Sequence, residues 1–189
     1  LGVPIDDDAA VHEGTRFALS DFNLNGATLE ILSAYSAAEG RILMRDNPDV
    51  AAVLLDVIME TDVAGLELVE YIRNEIKNET VRIILRTGQP GQAPERRVIV
   101  QYDINDYKTK SELTRTRLYT VLTAAIRSYK QICELQIGRR GVSRILQAAN
   151  ELSQIRTLPR FAECALEHLC GLFECEPAGL VCVQHRADP

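Results

Sequence analysis

The chain has 189 residues, 46% hydrophobic and 25% charged, with a formal net charge of −6. Length and composition suit a globular chain with one good-sized domain and part of a second. The acidic balance argues against nucleic-acid binding, which needs clustered Lys and Arg, and no apolar run approaches the ~18 residues that span a bilayer; a cytoplasmic protein without membrane or nucleic-acid partners is expected.

In chain order, Leu1–Ile5 is short and apolar, weakened as a strand by Gly2 and Pro4 and halted by Asp6-Asp7-Asp8. Ala9–Ser20 reads as a helix, Leu29–Ser33 as a short strand, and Ala37–Asp46 as a helix ended by Asn47-Pro48. Ala51–Leu55 is a continuous apolar run before Asp56, the pattern of a central strand covered on both faces. Gly65–Asn74 carries Leu66, Leu68, Val69 and Ile72 as a helical stripe. Val81–Leu85 is the next strand, followed by the loop Gly88–Pro94, a short helix over Glu95–Tyr102 and a last strand over Ile104–Tyr107. Alternation of this kind predicts an α/β fold: a five-stranded parallel sheet with helices on both faces. Its chemistry is expected at the carboxyl ends of the strands.

From Ser111, a candidate helix cap, the pattern changes. Leu118, Leu122, Ala125, Tyr129 and Ile132 alternate in spacings of four and three, an a/d seam of about two heptads. Its first half packs on the sheet; its continuation as an extended C-terminal helix needs a partner, so a parallel homodimer is expected. Gly138-Arg139-Arg140-Gly141 reads as a hinge or helix break. Val142–Ser153 and Leu158–Phe173 follow as amphipathic helices and Ala178–Gln184 as a strand. These elements cannot close a sheet-based core, so a partial second α/β domain is expected, in a chain that opens on Leu1 like a fragment. The expected divisions are 1–130, a helical linker over 131–141, and 142–189.

Three adjacent acids usually mark a solvated turn, or else a site for a hard divalent cation such as Mg²⁺. Asp56 strengthens the second reading, because it ends an apolar strand where an unused carboxylate is costly. Thr87 follows the strand Val81–Leu85, and a lysine follows the last strand. Acids, hydroxyl and ammonium on one sheet edge suit phosphoryl transfer, with Asp56 as the nucleophile and the others positioning and neutralising phosphoryl oxygens.

The order acids, Asp, Thr, Lys over residues 1–130 resembles the receiver domain of bacterial response regulators. The resemblance implies a flavodoxin-like sheet, Mg²⁺ as cofactor, and a histidine kinase or phosphotransfer protein as partner. It implies that Asp56 accepts the phosphoryl group and that Asp7 binds Mg²⁺ directly, with Asp6 assisting through water. The backbone carbonyl of Ile58 would join Asp56 on the metal, and Thr87 would be the switch hydroxyl. In Asp106-Tyr107-Lys108-Thr109-Lys110 the family's aromatic switch residue lies three before its lysine, which selects Tyr107 and Lys110 over Lys108. The chain departs from the family at Ser111 and Glu60, where proline is common, and one extra residue between Asp56 and Gly65 implies an enlarged acidic loop with Glu60 and Asp62. The C-terminal piece resembles the opening of a truncated GAF-like sensory domain. On this reading the chain is no enzyme beyond self-catalysed transfer to Asp56, and any cyclic-di-nucleotide output enzyme, a diguanylate cyclase or an HD-type phosphodiesterase, lies outside it.

Other motifs receive plainer readings. The five cysteines, Cys133, Cys164, Cys170, Cys175 and Cys182, are odd in number and lack a CxxC pair, so reduced thiols are expected. Cys164 and His168 share a helix face, but without another ligand nearby in sequence they are read as packing. His12 is expected to be half-exposed. Gly88–Gly91 lacks the Gly-Lys-Ser/Thr ending of a P-loop and reads as the switch loop after Thr87. Two alternatives stand beside the receiver: an Asp-dependent phosphatase, opposed by Ile58 where such enzymes place a second Asp, and a dimerisation module that is never phosphorylated.

Overall fold

The computed structural model describes residues 1–88, 99–100 and 102–173. The strand expected over Ala178–Gln184, and most of the loop and helix expected between Gly88 and Tyr102, lie outside the described residues. Four strands run parallel in the order β1 (Gly2–Ile5), β4 (Ala52–Asp56), β5 (Arg82–Thr87), β6 (Asp106–Thr109). Their register sets Ile5 beside Leu55, Asp56 beside Arg86, and Thr87 beside Thr109.

A fifth, irregular edge lies against β1 where Leu29–Ser33 was expected to be a strand. Gly2 donates to the Glu30 carbonyl at 2.9 Å, Leu32 to that of Gly2 at 3.1 Å, Ala34 to that of Pro4 at 3.1 Å, and Asp6 to that of Ala34 at 3.2 Å. The pairing amounts to two isolated bridges, Gly2 with Ile31 and Ile5 with Ala34. Pro4 sits between the donors Gly2 and Asp6 and has no N–H to continue the ladder. A hairpin of β2 (Asn23–Leu24) and β3 (Ala27–Thr28) precedes this edge. Asn25 (φ 56°) and Gly26 (φ 86°) form its turn, the Asn-Gly pair that a two-residue hairpin favours and that sequence reading passed over.

Side chains alternate across the sheet. Val3, Ile5, Val53, Leu55, Ile83 and Leu85 pack with Met44 of α2 (Ala37–Asp46) and with Leu68, Val69 and Ile72 in and just after α3 (Ala64–Glu70). Ala52, Leu54 and Ile84 face the other way, toward Leu19 and Phe22, which follow α1 (Ala9–Ala18), and Leu118, Leu122, Ala125 and Ile126 of α4 (Arg115–Gln154). Each large apolar side chain so buried contributes about 1.5–3 kcal/mol. The strand order reverses between β1 and β4, which opens a crevice at their carboxyl ends.

Several expected boundaries move. The α3 helix gives way at Tyr71–Glu75 to a π turn, beside which the Arg73 guanidinium donates to the carbonyls of Asn78, Val81, Tyr102 and Asp103. The strand β6 starts at Asp106 rather than Ile104, because the Asn105 side-chain carbonyl takes the Ile83 amide at 2.8 Å in place of a strand carbonyl. At the start of α4 Thr114 Oγ1 accepts from the Arg117 amide at 3.4 Å, after a 3-10 turn over Lys110–Glu112; the side chain of Ser111, the expected cap, lies outside the described residues.

The expected break at residues 138–141 is absent, since α4 is continuous from Arg115 to Gln154. Gly138 and Gly141 cost a helix only about 1 kcal/mol each and neither removes a backbone donor. The chain divides into two compact units, Leu1–Cys133 and Glu134–Pro189. In the second unit, α5 (Leu158–Phe173) spans the residues read as its second helix.

Candidate functional site

The carboxyl ends of β1, β4 and β6 meet around one lysine. Lys110 Nζ lies 2.8 Å from Asp56 Oδ2, 3.0 Å from Asp6 Oδ2 and 3.1 Å from Asp6 Oδ1. Lys108, the lysine not chosen, pairs with Asp106 at 3.0 Å. Asp6 is fully buried and also takes Arg86 Nη2 at 3.4 Å, while Arg86 Nη1 donates to Thr15 Oγ1 at 3.1 Å. Asp7 is exposed. Ligand oxygens of Asp6, Asp7 and Asp56 all lie within 4.8 Å of one another.

Electrostatics explain why these groups tolerate burial. Desolvation pushes the Asp56 carboxyl above the usual carboxylate range, and the charge of Asp6 adds to the rise; Lys110 and the amide of Ile58 pull against it. At Lys110 desolvation acts downward, but hydrogen bonds to Asp56 and Asp6 and their charges outweigh it and hold the ammonium above its ordinary value. Burial draws the Arg86 guanidinium down, opposed by Asp6 and Asp56; arginine stays charged regardless.

Three carboxylates thus face two cations, and Asp56 Oδ1 is buried with no hydrogen-bond partner among the described residues. An all-oxygen set with an orphaned buried acceptor fits a hard cation such as Mg²⁺.

Of the remaining residues singled out in the sequence, Thr87 is fully buried at the end of β5. The Tyr107 hydroxyl is buried without a hydrogen-bond partner among the described residues. Ile58 lies two residues past Asp56, where its amide approaches that carboxylate. Glu60 is more than a solvated loop acid: its Oε1 accepts from the Ala37 amide at 2.8 Å, at the N-terminus of α2, where backbone donors and helix dipole favour negative charge.

His12 is 1% exposed rather than half-exposed; its Nε2 lies 2.7 Å from the Asp6 carbonyl and its ring packs against that of Tyr35, centroids 4.2 Å apart and planes tilted by 39°. Sequence reading missed Arg86 and the steric role of Gly65. A charged residue between the apolar run of β5 and Thr87 was the available signal for Arg86, since a buried cation requires a buried acid. The role of Gly65, which lies against the Asp56 backbone, depends on a contact that no local pattern encodes.

The fold defines a class: the chain has the parallel α/β architecture of response-regulator receiver domains, with an extended C-terminal helix. A receiver domain protein from Clostridium thermocellum matches with TM-score 0.57 at 21% identity, covering 69% of this chain and 97% of that one. The signal receiver domain of an HD domain-containing protein from Pseudomonas fluorescens Pf-5 matches with TM-score 0.59 at 17% identity, covering 70% and 90%. At these identities the likeness concerns the fold.

More particular is a relative in Vibrio cholerae serotype O1, named 3'3'-cGAMP-specific phosphodiesterase 2. It is 41% identical over 179 residues, which make up 95% of this chain and 34% of that protein. This match corrects the expectation that the protein is not an enzyme, because it points to an enzyme family. The chain spans about a third of that relative's length. Residues 122–189 match the family model of a domain of unknown function, DUF3369, where a GAF-like domain was expected. Among the described residues no helix is long and apolar enough to cross a membrane.

Proposed function

We propose that this chain is the receiver-bearing regulatory part of a cyclic-dinucleotide phosphodiesterase, and that phosphorylation of Asp56 controls the output. The carrying observation is the Lys110 ammonium bridging Asp56 and Asp6 beside an orphaned Asp56 oxygen. A histidine kinase or phosphotransfer protein supplies phosphohistidine. An Asp56 oxygen attacks its phosphorus; the O–P bond forms as the N–P bond breaks, and the imidazole leaves with the electron pair. Lys110 and the Thr87 hydroxyl hold phosphoryl oxygens during transfer. Mg²⁺, held by Asp6, Asp7, Asp56 and the Ile58 carbonyl, would neutralise carboxylates and phosphoryl oxygens together. In the phosphorylated state Thr87 and Tyr107 reorient, the Thr87 hydroxyl turning toward the phosphoryl group.

A small phosphodonor with Mg²⁺ is expected to add one phosphate by intact-mass measurement, and Asp56→Asn to abolish it; label that persists in the variant refutes the reading. In the longer protein, cyclic-dinucleotide hydrolysis is expected to change when the phosphodonor is added, and an unchanged rate refutes the coupling.

Dimerisation through α4 belongs to the same proposal. The first half of the expected seam, Leu118, Leu122 and Ala125, is buried in the core of the first unit, and Tyr129 donates to the Asp49 carbonyl at 3.1 Å. The apolar residues left for a partner lie further on: Leu135, Val142, Ile145 and Leu146, all more than half exposed. Light scattering should give a dimer mass that falls to that of a monomer in Leu135→Lys/Leu146→Lys; an unchanged mass removes this part.

A further inference from the structure

We propose that the second unit carries a transition-metal site, formed by Glu151, Cys164 and His168 and suited to Zn²⁺. The receiver-type reaction does not use these residues. Cys164 and His168 are separated by one helical turn of α5, so their side chains share a face. On sequence alone that pair lacked a third ligand. The structure supplies one from α4: His168 Nε2 lies 2.8 Å from Glu151 Oε2, and one ligand atom from each of Glu151, Cys164 and His168 falls within 4.8 Å of the others.

The donor set is chemically selective. Thiolate, imidazole and carboxylate together match a borderline-soft ion that accepts S, N and O at about 2.0–2.3 Å, whereas Mg²⁺ and Ca²⁺ avoid sulfur. The carboxylate is already oriented, because Gln147 Nε2 donates to Glu151 Oε1 at 2.9 Å and leaves Oε2 toward His168. Such an outer partner is the usual means of fixing a metal-binding group. Binding requires that Glu151 and His168 part slightly from hydrogen-bonding distance, that His168 Nε2 releases its proton to solvent or shifts it to Nδ1, and that Cys164 gives up its proton to solvent. Cys164 and His168 are partly buried, and Glu151 faces solvent, which leaves an entry path. Three protein ligands leave one tetrahedral position for water, the arrangement of reactive rather than purely structural zinc sites.

The test uses the full chain with Co²⁺ as a spectroscopic substitute and Zn²⁺ as competitor. One equivalent of Co²⁺ is expected to produce tetrahedral visible bands and a thiolate-to-cobalt charge-transfer band, both removed by Zn²⁺. The charge-transfer band should persist in Cys133→Ser and vanish in Cys164→Ser, and His168→Gln should weaken Zn²⁺ binding by at least about tenfold. The thiolate band also separates this site from the acidic cluster of the first unit, which has no sulfur. As a check that needs no variant, Zn²⁺ should slow alkylation of Cys164, mapped by peptide mass, without slowing that of Cys133. Absence of the band, its survival in Cys164→Ser, or unprotected alkylation of Cys164 each overturns the proposal.

Discussion

Gly65→Ala tests the contact that sets the backbone of Asp56 against the start of α3. A Cβ at residue 65 would lie 2.0 Å from the Asp56 carbonyl oxygen, 2.8 Å from Val57 Cα and 2.9 Å from the Asp56 carbonyl carbon. Ordinary carbon contacts begin near 3.5 Å, so the overlap with the oxygen is roughly 1.5 Å. Backbone cannot rotate away as a side chain does. The start of α3 must retreat, and the hydrogen bond from the Gly65 amide to the Val57 carbonyl, 3.1 Å long, lengthens or breaks. Overpacking costs about 1–3 kcal/mol and the lost bond about 1 kcal/mol. Alanine's better helix propensity returns about 1 kcal/mol, leaving a net loss of about 2 kcal/mol. For a chain of this size that is a fall in Tm of about 4–8 °C, read by circular dichroism. Phosphorylation of Asp56 should slow as well, because its backbone is displaced. A variant that melts within about 1 °C of the parent would refute the claim that this close approach is rigid.

Lys110→Ala should slow phosphorylation of Asp56 by about 100-fold, the usual effect of losing one transition-state donor, while tightening Mg²⁺ binding, since the carboxylates lose a competing cation; titration calorimetry reads the second effect. Arg86→Met leaves buried Asp6 with Lys110 as its remaining cation, and loss of one member of a buried pair costs about 3 kcal/mol or more, measurable by urea denaturation. Asp56 has a raised pKa in the folded state, chiefly from desolvation, so folded protein binds its proton more readily than unfolded chain. Its contribution to stability is therefore greatest below the unfolded value of 3.8 and is lost as pH rises through the folded value. In metal-free buffer Asp56→Asn should accordingly be more stable than the parent at neutral pH, with the difference shrinking on acidification; the opposite trend would contradict the assignment.

Much of this protein was legible one residue at a time. Continuous apolar runs before Asp56 and Thr87 mark strands covered on both faces, because such runs are stable only when water is excluded from both sides. Acids at the ends of two strands and a lysine after the last were visible as candidates, and the family's three-residue step from Tyr107 points to Lys110, the lysine that lies 2.8 Å from Asp56. The helices over Ala9–Ala18, Ala37–Asp46 and Leu158–Phe173 were equally plain, since amphipathic spacing is a local property.

Tertiary structure decided the rest. Whether Gly138 and Gly141 break a helix depends on its neighbouring turns and not on glycine alone, and α4 passes through both. The burial of Arg86 beside Asp6 joins residues 80 positions apart, so no local pattern could announce it. Glu60 looked like a solvated loop acid until the N-terminus of α2 came within reach, and Cys164 and His168 lacked a third ligand until α4 and α5 brought Glu151 beside them. Sequence determines which groups are present and how the chain alternates. Distances between groups far apart along it arise only when the hydrophobic faces close, because burial fixes their geometry and sets the low dielectric that shifts their protonation.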